Sequence, residues 1–170
     1  MTDKENMFEL VIDYDEQFHE QVQSGDPNPL ADLTIRAGEY DLTGASGDRF
    51  YLDDYVYFNL RKQLDAIESI LAGNRNELTF YNIPNDLILD PENATIFVSL
   101  VKSSGEPKND AVPEDGVPIT MRAFIEGVVN AAEEFHEKVI EVNPDLEDSE
   151  QMRTLRDLIQ NAKEKLSDIN

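Results

Sequence analysis

The spacing of apolar residues changes along this chain, and that change limits the folds open to it. Residues 7–14, MFELVIDY, alternate: Phe8, Leu10, Ile12 and Tyr14 point one way, Glu9 and Asp13 the other. A period of two predicts a half-buried strand. From Thr120 onward the apolar residues recur at every third or fourth position. Met121, Phe124, Ile125, Val128, Ala132, Phe135, Val139 and Val142 make one stripe; Met152, Leu155, Ile159, Ala162, Leu166 and Ile169 make a second. That period belongs to amphipathic helices. Strands early and helices late predict an α+β protein rather than an alternating α/β one.

The middle of the chain supplies the remaining elements. Residues 15–31 hold the turn cluster GDPNP, with EQFHEQV before it long enough for a helical turn. Residues 32–42 alternate at Leu33, Ile35 and Ala37. Gly38 then shifts the phase to Tyr40 and Leu42, which predicts a bulge. These two strands are expected to pair antiparallel across a long connection. After TGASGD, Asp53 or Asp54 is expected to cap a helix that runs to about Ala72 and stops at Gly73. Its stripe is Tyr57, Leu60, Leu64, Ile67 and Leu71.

Short strands are expected at LTFY 78–81, DLIL 86–89 and TIFVSLV 95–101. The last is apolar on both faces and so central in a sheet. Residues 102–118 carry three prolines and two glycines and predict a long, exposed, mobile loop. Thr120 caps the next helix and Pro144 ends it; Asp148 or Ser149 caps the last. The expected order is ββ-α-βββ-αα. It describes one α+β domain over residues 1–170, an antiparallel sheet of about five strands covered on one face by about three helices.

Charge narrows function more than any motif does. Against 36 acidic residues stand 14 basic ones, a net of -22 over 170 residues. Such a surface repels nucleic-acid phosphates and anionic lipid, so direct nucleic-acid or membrane binding is not expected. A basic protein is the natural partner, because opposite charge speeds encounter. A salt-rich habitat is the competing explanation. Salt adaptation tends to deplete lysine, yet lysine and arginine are equally numerous here. There is no cysteine, which excludes disulfides and thiolate chemistry. No basic and apolar leader opens the chain, and a cytoplasmic location is expected.

Chemistry-bearing clusters are sparse. Glu133-x-x-His136 and Glu16-x-x-His19 each repeat half of a carboxylate-bridged di-metal pattern, but His19 falls in a connection rather than on a bundle helix. Solvated helical charge is the simpler reading of both. Asp86, Asp90 and Glu92 lie close enough in sequence to suggest a hard cation, without the spacing of a calcium-binding loop. Asn93-Ala94-Thr95 matches a glycosylation sequon by coincidence. Phosphate-binding glycine loops, nucleophile elbows and zinc-protease motifs are missing, and neither a cofactor nor a metal is implied.

The expectation is therefore a non-catalytic acidic binding protein that neutralises a basic partner, in the manner of an immunity protein or antitoxin for a nuclease-like toxin. A phage-type DNA mimic that inhibits a nucleic-acid enzyme is the alternative, followed by a generic acidic domain of a salt-loving organism. The expected contact residues are acids and aromatics taken to be exposed: Tyr51, Asp53, Asp54, Tyr55, Glu133, Glu134 and Glu137.

Overall fold

Residues 6–44 and 52–169 are described by the computed structural model. In chain order they form β1 (Phe8–Ile12), α1 (Glu16–Gln23), β2 (Leu30–Ala37), β3 (Tyr40–Asp41), β4 (Leu52–Tyr55), α2 (Val56–Leu71), β5 (Asn76–Thr79), β6 (Asn85–Glu92), β7 (Thr95–Lys102), β8 (Val117–Thr120), α3 (Met121–Val142) and α4 (Glu150–Asp168). A short 3-10 helix, Pro144–Asp148, joins α3 to α4. The fold is α+β, with the strands in two antiparallel four-stranded sheets rather than one. In the first, β2 is central: β1 pairs along one side, β3 and β4 along the other. The second is the meander β5-β6-β7-β8.

Local chemistry explains most boundaries. Thr120 and Ser149 accept from the backbone N–H groups of Ala123 and Met152 and so start α3 and α4. Gly73, at φ +90, follows the end of α2. The expected α2 caps are wrong: Asp53 and Asp54 belong to β4, and α2 starts at Val56. Its first N–H groups bond to residues distant in sequence. Val56 N–H donates to the Pro29 carbonyl and Phe58 N–H to Asn28 Oδ1. The expected bulge at Gly38 is a two-residue turn joining β2 to β3, with Gly38 at φ +59. EQFHEQV forms a true helix because Asp15 caps it through Phe18 N–H. Val117 and Pro118, expected in the loop, belong to β8. The preceding stretch is tied to the first sheet by Asn109, buried and donating to the Asp41 carbonyl.

The buried side chains form one contiguous cluster. Phe8, Leu10 and Ile12 of β1 and Leu33 and Ile35 of β2 face α1 and α3; Phe8 meets Phe124 at 4.9 Å between ring centres, and Phe18 meets Phe135 at 6.1 Å. Burying a residue of this size stabilises by about 2 kcal/mol.

Outer strands are guarded individually. The register of β1 turns the backbone groups of Phe8, Leu10 and Ile12 away from β2. There α3 closes in so tightly that a Cβ on Gly127 would overlap the Phe8 carbonyl oxygen. On β5, the outward Thr79 carbonyl accepts from Lys62 Nζ at 2.6 Å. On β8, Pro118 takes an outward position where no N–H is offered. Pro91 sits within β6 without harm because its missing N–H points past the end of β5.

Candidate functional site: the open face of the first sheet

Alternation along β1, β2 and β4 sends one set of side chains to the core and the other to a face that no described helix covers. The pairing fixes which residues become neighbours there. Glu9 lies opposite Arg36 and Val11 opposite Thr34. Asp32 lies opposite Asp53 on its other side. Asp13 N–H donates to the Asp32 carbonyl at 2.9 Å, which continues the same register. Asp13, Asp32 and Asp53 therefore stand in a row across three strands, each about 5 Å from the next strand.

Like charges directly opposite one another destabilise a sheet. Burial first, and then Asp53, Asp13 and Asp15, raise the pKa of Asp32. Lys108 is a basic neighbour of this row. Its own pKa is lowered by burial; Asp53 opposes that shift and Lys102 adds to it.

Beside the acids stand aromatics. Among the described residues the exposed large apolar side chains are Val11 (41% exposed), Tyr55 (37%), Phe58 (38%) and Tyr81 (51%). Two of them flank the Asp row directly, Tyr81 adjoins it through Asn82, and Phe58 stacks on Tyr81. Val11 and Tyr55 are on the open face itself. Phe58 is in the first turn of α2, and Tyr81 follows β5. The Phe58 and Tyr81 rings are 4.8 Å apart at 42°, and Lys62 Nζ stands 4.4 Å from the Tyr81 ring centre. Asn82 joins the turn to the row, donating from Nδ2 to Asp53 Oδ1 at 2.7 Å.

Asp54 holds this corner from below. It is fully buried, so it is not the exposed contact residue expected of it. Its Oδ1 accepts from the backbone N–H groups of Tyr81 (3.0 Å) and Asn82 (2.9 Å), and its Oδ2 from Asn59 Nδ2 (2.9 Å). Asn59 Oδ1 in turn accepts from Gln63 Nε2 at 2.7 Å. Gln63 is buried as well, and its Oε1 has no partner among the described residues. A buried carboxylate with three donors is strongly held, and it fixes the Tyr81–Asn82 turn against α2.

The other expected contact residues scatter. Tyr51 lies outside the described residues. Glu133, Glu134 and Glu137 are exposed on α3, which packs on the core side of the first sheet, so they do not join Asp53 and Tyr55. Glu133 pairs with Lys163 of α4 at 2.8 Å. Glu134 lies along the β1 edge, where it contributes to raising the pKa of Tyr14, behind burial. His136 Nε2 sits 3.0 Å from Arg156 Nη1, which also donates to the Glu147 carbonyl. Burial first and Arg156 second lower the His136 pKa, with Glu147 opposing. His19 is on α1, exposed and on a different helix.

Asp86 and Asp90 lie four residues apart along β6, roughly 14 Å at strand rise, too far to share one cation. Asp86 accepts instead from the Thr79 hydroxyl. Among the described residues no group of three His, Asp or Glu side chains is placed to hold a metal ion. Nor is any helix there long and apolar enough to cross a membrane.

Asp13, Asp32, Phe58 and Tyr81 were not singled out in the sequence. Phe58 carried a signal: it falls off the Tyr57–Leu60–Leu64 stripe and so had to face outward. The Asp row carried none, because it depends on register between strands distant in sequence. No family model matches the chain, and no curated protein or solved structure is recognisably similar to it.

Proposed function

We propose that this protein is a non-catalytic binding protein that captures a basic protein partner on the open face of its first sheet. An immunity protein or antitoxin that blocks a nuclease-like toxin is the form of this function that best suits its charge. One observation carries the reading: three mutually repelling aspartates are gathered in a row, with the exposed Val11 and Tyr55 on the same face and the exposed Phe58–Tyr81 pair joined to it through Asn82. A row that disfavours the free fold is relieved when a cationic surface covers it. Tyr and Phe at its margin supply the apolar contact that a purely electrostatic encounter lacks. A nuclease cleft presents the complementary surface, since it is built to hold phosphates. A DNA mimic would call for two tracks of carboxylates. The open face offers a single row, so that alternative is not adopted.

The test is binding to a panel of purified basic nucleases, including any encoded beside this gene, by calorimetry at low and moderate salt. A complex is expected with at least one, weakening as salt rises. Asp13→Asn/Asp32→Asn/Asp53→Asn should weaken it more than Glu133→Gln/Glu134→Gln/Glu137→Gln, although both remove three charges. Equal losses, or no complex at low salt, would reject the reading.

A further inference from the structure

We propose that Tyr55, Phe58 and Tyr81, with the Asp53 carboxylate beside them, form the anchor of this interface and take an arginine side chain of the partner. The inference rests on the basic-partner reading and narrows it to one corner and one type of side chain.

Three features converge on it. First, the corner is set before any partner arrives. The buried Asp54 fixes the Tyr81–Asn82 turn, and Asn82 Nδ2 fixes Asp53 Oδ1. Asp53 Oδ2 bonds to no described residue. Second, a cation already stands over one of these rings: Lys62 Nζ is 4.4 Å from the centre of Tyr81, held there by the Thr79 carbonyl. The rings are thus placed where positive charge is welcome, and Phe58 and Tyr55 keep more than a third of their surface open.

Third, Tyr55 and Asp53 are two residues apart on one strand and so share the open face, about 7 Å from each other. A guanidinium stacked on Tyr55 or Phe58 can direct its N–H groups toward Asp53, with Asp32 next in the row. An ammonium cannot both stack flat and fork to a carboxylate. A second copy of this chain is disfavoured as occupant, because it would bring its own -22 against the first.

Two probes test this: an Arg-Gly repeat peptide and a Lys-Gly repeat peptide of equal length and charge. Each is titrated into the intact protein at physiological salt, read by calorimetry and by backbone amide shifts. The arginine peptide should bind about fivefold tighter, with the largest shifts at residues 53–58 and 80–82. In Tyr55→Ser/Phe58→Ser the two peptides should bind alike. Should that variant fail to fold, Asp53→Asn, which keeps an acceptor for Asn82, should also shrink the arginine preference. Equal binding of the two peptides to the unmodified protein sinks the arginine anchor and leaves the basic-partner reading standing. An arginine preference that survives both variants places the anchor elsewhere and rejects this one. Failure of a basic nuclease to bind at all removes the reading beneath it.

Discussion

Asp54 occupies a position where side chains rarely carry charge, and its three donors explain why it is tolerated there. Asp54→Ala strands two backbone N–H groups and the Asn59 amide without an acceptor. It should cost about 3 kcal/mol, read as a lowered midpoint in chemical unfolding. Asp54→Asn, which keeps one acceptor oxygen, should lie between. The second residue-level prediction concerns His136. Its pKa in the folded protein is lowered, so the unfolded chain takes up the proton first. The contribution of His136 to stability should therefore fall as pH drops through about 6.5, the ordinary histidine value. His136→Gln retains an acceptor for Arg156 and should remove that contribution, so that between pH 7 and 5 the variant gains stability relative to the unmodified protein, measured by thermal unfolding. Residues whose role is local were legible in the sequence: Thr120, Ser149 and Gly73 do what their positions imply. Asp54 was not, because its partners Tyr81 and Asn82 are 27 and 28 residues away.

At the scale of elements, long periodic stretches were readable and short ones were not. α3 and α4 follow their stripes closely, and β7 is central as its two apolar faces implied. β3 has only two residues, and β4 contains paired aspartates that suit a helix cap better than a strand. β8 contains a proline. Tertiary pairing overrides local preference in all three, and missing them merged two sheets into one. The β1–α3 contact yields a prediction at this scale. Gly127 is needed for space, since its added Cβ would overlap the Phe8 carbonyl. Gly127→Ala should cost more than about 2 kcal/mol despite alanine's better helix propensity. A stabilised Gly127→Ala variant would show that helix and strand are not in contact there.

At the scale of the molecule, the charge is mostly uncompensated. Among the described residues four ion pairs are present, and all eight side chains are about half exposed. Such pairs contribute little. Self-repulsion across the remaining acids should make the fold depend on screening. The melting temperature should rise by several degrees between about 0.02 M and 0.5 M salt, and most of that gain should survive Asp32→Asn, since one row is a small part of the whole. A flat response would mean the acids lie too far apart to interact. The sign and size of the net charge were plain in the sequence. The row of Asp13, Asp32 and Asp53 was hidden, because only strand register sets them side by side.

The helix seated against β1, the lysine on the rim of β5 and the imide nitrogen of β8 share an outcome. No visiting strand can lengthen the sheets at those borders. A visitor is left with side-chain chemistry, which single substitutions can retune while leaving the scaffold untouched.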